Sequence, residues 1–278
     1  MSTSPHILLL GGHGKIALYL TPRLISRGWT VTSVVRNPDH EADIHAAAPN
    51  AAKGALNVLV SDLAEISTQE AAQAVIDTVR PTWVVWSAGA GGKGGDERTH
   101  QIDYLAAAAF IRAAAATDGV TTFLMVSANN SRRSKPSWWS DEEWAGTVQM
   151  NSEGGILAAY FQAKINADEL LTALTHKREN DDARPAIKTV ILRPGWLAER
   201  EGTGKVHLGK TKGVGDVPRE DVAETAARLL EAVQNGWKGG WVDLLAGDNE
   251  IGAEVERVVS SGETSIDGEN IAEIHSKV

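Results

Sequence analysis

Three features of this chain point to an α/β protein built on a doubly wound, mostly parallel sheet with helices on both faces. Apolar, β-branched runs alternate with longer helix-patterned segments along most of its 278 residues. The strand-like runs are near-continuously apolar, as strands covered on both faces should be. The first of them, His6-Ile-Leu-Leu-Leu10, runs straight into Gly11-Gly12-His13-Gly14-Lys15-Ile16-Ala17. An apolar strand, closely spaced glycines and a helix is how a dinucleotide-binding turn is written. Its backbone must turn sharply and approach a pyrophosphate with no Cβ in the way, and the helix N-terminus offers that anion free N–H groups.

Strands are expected at 7–10, 30–35, 56–60, 82–86, 123–126, 187–192 and 241–245. Helices are expected between them at 15–27, 68–79, 99–116, 157–176 and 219–233. Repeated strand–helix alternation implies right-handed crossovers and hence a parallel sheet. Gly28 ends the first helix, Pro81 precedes the fourth strand, and Gly119 closes an Ala-rich helix. The small residues of that helix (106–109 and 113–116) suit close packing on the sheet, and the same face offers a surface for a homodimer. Residues 131–153, with Trp138, Trp139 and Trp144, are too long for a plain connection and read as a lid or a separately packed flap. The expected organisation is one domain over 1–258, with this insertion, a small substrate-side segment at 198–217, and a polar, fraying tail at 259–278.

Composition narrows the function. The net charge of −9 has no offsetting basic block, which argues against a nucleic-acid surface. The absence of cysteine excludes disulfides and thiolate chemistry. The eight histidines are scattered, and no metal site is expected. No apolar run reaches membrane-spanning length, Met1–Pro5 is too short and polar for a signal peptide, and the terminal Ser276-Lys277-Val278 reads as a chance near miss of a peroxisomal address. A cytoplasmic protein acting on a small molecule is the expectation.

The chemistry-bearing residues fall at the carboxyl ends of the strands. Arg36 follows the second strand. A guanidinium there cannot accept a hydrogen bond from a ribose 2′-hydroxyl but can pair with a 2′-phosphate, so NADP(H) is favoured over NAD(H). Arg36 is otherwise an exposed arginine at a strand end. Lys15 offers a second positive charge, and Ile16 lies beside it at the helix start. Asp62, followed by Leu63, either receives an adenine amino group or caps the next helix. Ser87-Ala88-Gly89 supplies small residues where the chain passes a nucleotide, and 91–95 forms a glycine-rich loop. Tyr160 and Lys164 lie one helical turn apart, so phenol and ammonium point the same way. The ammonium would lower the phenol pKa and make Tyr160 a usable proton donor to a developing alkoxide. Ser127, ending the fifth strand, could hold a substrate carbonyl beside it.

Glycine turn, Arg36, Asp62, Ser127, Tyr160/Lys164 and Leu192-Arg193-Pro194-Gly195 together resemble the short-chain dehydrogenase/reductase superfamily. More narrowly they resemble its atypical NAD(P)H-binding, epimerase/dehydratase-like branch. Gln101-Ile-Asp103-Tyr104, the segments 119–127 and 202–206, and Pro218-Arg-Glu-Asp221-Val222-Ala223 are similar to it too, over roughly residues 6–258. The resemblance implies a Rossmann fold with Gly11, Gly12 and Gly14 at the pyrophosphate, Arg36 at the 2′-phosphate, and Asp62 and Leu63 at adenine. It puts Lys164 at the nicotinamide ribose and Pro194-Gly195 near the carboxamide, although that pair also suits a simple strand-end turn. Ser127 and Tyr160 would handle the substrate oxygen. Asp103 stands where many relatives carry a catalytic asparagine, which speaks against an asparagine-dependent relay. The function expected is NADPH-dependent reduction of a small carbonyl or conjugated substrate. A non-catalytic NAD(P)-sensing regulator and a nucleotide-sugar epimerase or dehydratase are the alternatives. The tryptophans of 131–153 either close over the substrate or bury themselves against the sheet.

Overall fold

The computed structural model describes residues 4–48, 54–91, 94–155 and 157–278. Met1–Thr3 of the N-terminal stretch Met1–Pro5, and Gly92 and Lys93 of the glycine-rich loop, lie outside them. The chain opens with β1 (His6–Leu10), α1 (Lys15–Ser26), β2 (Thr30–Val35), α2 (Glu41–Ala47), β3 (Ala55–Val60), α3 (Gln69–Val79) and β4 (Trp83–Trp86). It continues through α4 (Gly95–Thr99), a π-helical stretch at His100–Ala106, α5 (Ala107–Ala116), β5 (Thr122–Val126), α6 (Asp141–Asn151) and α7 (Ala158–Glu179). The C-terminal third holds β6 (Lys188–Pro194), β7 (Trp196–Ala198), β8 (Lys205–Gly209), β9 (Asp216–Pro218) and α8 (Arg219–Gln234). β10 (Gly239–Ala246), β11 (Asn249–Glu250), α9 (Ile251–Ser261) and α10 (Ile271–His275) close it.

Nine strands form one sheet in the order β11-β8-β10-β6-β5-β4-β1-β2-β3. The seven predicted strands are its parallel part, and β8 runs antiparallel to β10. The chain works outward from β1 to β3, then returns to place β4 on β1's other side. That reversal opens a crevice beyond the carboxyl ends of β1 and β4, where doubly wound proteins bind their ligands. One core layer lies between the sheet and α1, α8 and α9, with Leu20, Leu24, Ala226, Leu230 and Val255 among its members. The other lies under α3, α5 and α7, built on Ile76, Phe110, Ala113 and Leu171. β1, β4 and β5 are buried almost throughout, but the edge strand β3 is only half covered.

Three expectations change. The predicted helix 99–116 begins at Gly95 and widens into a π-helical stretch around Asp103 before regular α-helix resumes. The Ala-rich face is already taken, since Ala106–Ala109 and Ala113–Ala115 are buried within the single chain between α3 and α7. The small residues of that face thus serve close packing within the chain. Residues 259–278, expected as a polar tail, lie packed against the rest of the chain. Ser265 and Ile274 are buried, His275 stacks on His176 at 3.5 Å, and Lys277 pairs with Glu169 at 2.5 Å. Polar composition misled here because the polar groups of this segment bond inward. Among the described residues no helix is long and apolar enough to cross a membrane.

Candidate functional site

The glycine turn lies against β2 and the end of β4. Gly11 sits at φ +85°, and a Cβ on it would lie 2.6 Å from the Ala88 backbone. Gly12 donates its N–H to Val34 O at 2.8 Å, and a Cβ there would reach 1.9 Å from Ser33 Oγ. Gly14 caps α1 through backbone alone, without a side-chain hydrogen bond, and the first helical turn carries no acidic residue. The first helical bond is Leu18 N–H to Gly14 O at 2.9 Å, so the amides of Lys15, Ile16 and Ala17 precede it and face the crevice end. Ala88 borders this cradle, its backbone standing where a Gly11 Cβ would be. A ring of sites where a Cβ has no room, ending on unpaired helix amides, fits a pyrophosphate.

The charged residues around the cradle divide. Arg36 is exposed just past β2 and makes no side-chain hydrogen bond or ion pair with any described residue. Lys15 is paired at the surface: its ammonium bonds both Glu199 carboxylate oxygens, at 2.8 and 2.9 Å. Arg219 shares the same carboxylate at 2.9 Å. Asp62 caps the turn that follows it, accepting from Ala64 N–H at 3.0 Å, while Leu63 is buried. The cap is thus the role of Asp62 that the geometry displays. His13 stacks on His40 at 3.6 Å and bonds Asp43 at 2.8 Å, a cluster that sequence reasoning missed.

The second half of the site is a line of side chains along α7. Tyr160, Lys164 and Asp168 stand at i, i+4 and i+8 on one face. The Lys164 ammonium is buried 2.9 Å from Asp103 Oδ1 and lies 5.5 Å from the Tyr160 ring centre. Asp103 Oδ2 accepts from Ala90 N–H at 2.9 Å, and a Cβ on Gly89 would come 2.8 Å from Oδ1. The widened helix around residue 103 therefore carries a carboxylate into the crevice, held by the loop after β4. Burial acts against the Lys164 charge, but Asp103, then Tyr160, hold its pKa above the usual lysine range. Tyr160 departs from expectation. Burial raises its pKa and outweighs the lowering by Lys164, with Asp103 and Asp168 raising it further. The sign reverses because burial of the phenol penalises the phenolate more than the Lys164 ammonium favours it.

Ser127 lies immediately past β5, its N–H bonded to Leu192 O at 2.8 Å. Its hydroxyl donates to Asp168 Oδ2 at 2.7 Å, fully out of solvent. Asp168 in turn faces Arg193 at 3.4 Å, and Arg193 faces Asp243 at 3.5 Å. Asp243 accepts from Arg132 at 2.6 Å, and every side chain in this chain of charges is buried. Asp168 and Asp243 were not singled out from the sequence. The available signal for Asp168 was its place one turn beyond Lys164.

Residues 131–153 are fastened onto this network. Trp138 and Trp139 both donate their indole N–H to Thr211 O at 2.9 Å and flank the Arg132 guanidinium at 5.4 and 5.2 Å. Of the two readings of the insertion, burial describes Trp139, which is 3 % exposed. The loop around Thr211 is held further by Glu143 on Gly213 N–H at 3.1 Å. Pro194 ends β6, and Gly195 is squeezed: a Cβ would stand 2.5 Å from Gly215 O and 2.4 Å from Leu245 Cδ2. Gly215 and Leu245 also line a cleft of about 520 Å³, with His207, Lys212, Val214 and Asp216 around it. Among the described residues no group of three or more His, Asp or Glu side chains is placed to hold a metal.

A glycine cradle at the switch point of a doubly wound sheet, with a Tyr/Lys pair on α7, is the arrangement of a dinucleotide-binding protein of the oxidoreductase and epimerase kind. Residues 11–232 match the NAD(P)H-binding family, and the chain belongs to it. It is 31% identical over 93% of its length to a UPF0659 protein of Schizosaccharomyces pombe, covering 96% of that protein. It is 28% identical to the uncharacterized sugar epimerase YhfK of Bacillus subtilis, covering 91% of this chain and 99% of the relative. Among solved structures it is similar to one put forward as an NAD-dependent epimerase/dehydratase from Bacillus halodurans. The TM-score is 0.68 at 27% identity, over 91% of this chain and 100% of that one.

Proposed function

We propose that this protein is an NADPH-dependent reductase of a small carbonyl or conjugated substrate, with Tyr160 as the proton donor. One observation carries the reading: Tyr160 and Lys164 share a helix face with the Ser127–Asp168 pair beside them, at the crevice that the glycine cradle opens. Gly11, Gly12, Gly14 and the amides of Lys15 and Ile16 would hold the pyrophosphate. Ala88 and Gly89 would line its path, Asp62 and Leu63 would border adenine, and Arg36 would meet a 2′-phosphate. Lys164 would hold the nicotinamide ribose, and Pro194-Gly195 would pass the carboxamide. Bound NADPH supplies a hydride.

The protein's own part is proton and charge. A phenol whose pKa is raised by burial stays protonated at neutral pH, as a donor to an alkoxide must. Lys164, held cationic by Asp103, favours the phenolate left behind. Ser127 contacts the substrate oxygen, and the cleft beside Gly195 gives the substrate room. Tyr160→Phe should lower turnover of carbonyl substrates by about 10²–10⁴-fold while leaving NADPH affinity within about twofold. Unchanged turnover removes the tyrosine from the mechanism. For the cofactor, Arg36→Ala should weaken NADPH by roughly tenfold or more and leave NADH nearly unchanged in a fluorescence titration. Tighter NADH than NADPH binding by the wild type overturns the NADP(H) preference.

A second reading is a sugar epimerase or dehydratase, favoured by the names its relatives carry. Stabilisation against heat by a nucleotide-sugar, with no NADPH oxidation across a carbonyl panel, would select it.

A further inference from the structure

Asp168 is a buried carboxylate to which the reductase reading gives no chemical role of its own. Its Oδ2 accepts the Ser127 hydroxyl at 2.7 Å, and its Oδ1 has no hydrogen-bond partner among the described residues. A serine hydroxyl has one proton to give. While it donates that proton to an ionised Asp168, it can present only lone pairs to a substrate oxygen. A carbonyl oxygen is itself only an acceptor, so that arrangement suits an alcohol and not a ketone or aldehyde.

We propose that Asp168 is a positioning residue whose proton decides whether Ser127 donates to or accepts from the substrate oxygen. With Asp168 ionised, Ser127 gives its proton to Oδ2 and accepts from an alcohol O–H. With Asp168 protonated, the acid donates to Ser127 Oγ and the hydroxyl is free to donate to a carbonyl. No bond other than these hydrogen bonds changes, and the proton on Asp168 exchanges with solvent. The surroundings hold the carboxyl within reach of both states. Burial pushes it up to about 6, against the pull of Arg193, of the Ser127 hydrogen bond and of Lys164, with Glu169 raising it again. The groups facing it are Tyr160, Lys164 and Glu169 on its own helix, Ser127 past β5 and Arg193 on β6. Behind Arg193 stand Asp243 on β10 and Arg132 from the insertion. The consequence for carbonyl binding rests on the reductase reading, while the control of Ser127 by Asp168 does not.

The test is NADPH oxidation with phenanthrenequinone as the carbonyl probe, between about pH 5 and pH 8. In the wild type KM for the quinone should rise about tenfold as pH passes Asp168's titration, with kcat changing less. Asp168→Asn places a permanent donor against Ser127 Oγ, so its KM should stay at the low-pH value throughout. Parallel pH profiles for the two proteins overturn the proposal, because a purely structural Asp168 would leave the wild-type profile intact. A wild type that binds NADPH but reduces no carbonyl overturns the reductase reading instead. An infrared titration of the carboxyl groups then decides the Ser127–Asp168 link, and does so equally if Asp168→Asn fails to fold. Ser127→Ala removes a donor to the carboxylate and should raise the Asp168 midpoint; an unmoved midpoint overturns the proposal.

Discussion

Gly11 is held at φ +85° with the Ala88 backbone where its Cβ would be. Both constraints act on one residue, so Gly11→Ala cannot relax by a rotamer change. It should cost about 1–3 kcal/mol in urea unfolding and weaken NADPH binding by displacing the turn from β4. This glycine was legible because its need is local and written in the spacing of the motif. So was Tyr160 with Lys164, since helical geometry alone puts them on one face. The sign of the Tyr160 pKa shift was not legible. It depends first on how far the fold buries the phenol, and then on Asp103, which lies 57 positions before Tyr160 in the chain and is brought to it only by the fold.

At the scale of elements, the strands and the long sheet-packed helices follow from apolar pattern, and their bounds agree to within a few residues. Among the elements not expected, α9 does carry an apolar stripe, with Ile251, Val255 and Val258 buried at i, i+4 and i+7, while others carry none. α6 lies in a polar insertion, and what starts it is a capping box: Ser140 Oγ accepts from Glu143 N–H at 3.1 Å, and Glu143 Oε2 accepts from Ser140 N–H at 2.8 Å. Glu143 Oε1 also holds Gly213 N–H, so this helix start ties the insertion to the loop after β8. Ser140→Ala should destabilise the protein by about 1 kcal/mol, with faster hydrogen exchange concentrated in 141–151. Uniform exchange across the chain would show instead that α6 does not open locally. The short strands β7 and β9 are paired only with each other, at Trp196–Ala198 against Asp216–Pro218. Their pairing partners are 20 residues apart, a relation that no local pattern displays.

For the whole molecule, the buried charges set the response to pH. Asp168 has a folded pKa of about 6 against an ordinary value of 3.8. The folded state therefore holds this proton more tightly, and Asp168 lowers stability progressively as pH rises through that window. Glu169 acts in the opposite sense. Burial raises its pKa, but the hydrogen bonds from Arg133 and Lys277 outweigh it and leave the pKa lowered. Its contribution is present above the unfolded value and is lost as pH falls. Asp168→Asn removes only the first of these effects. Its unfolding free energy should rise more steeply than the wild type's between about pH 4 and pH 6, measured by urea titration at each pH. Equal slopes would place the Asp168 carboxyl at an ordinary pKa.

By itself the sequence determined the doubly wound sheet, the glycine cradle and the Tyr160–Lys164 face, because each is written in periodicity or spacing within one or two elements. The tertiary structure determined which charges are free. It set Lys15 against Glu199, placed Asp103 on Lys164, turned Ser127 toward Asp168, and folded the polar C-terminal segment onto α7. Those outcomes turn on who meets whom across the crevice, at separations of 41 to 184 residues for the side-chain pairs. A charge's value in a fold depends on its partner and its burial, and neither is a property of the residue alone.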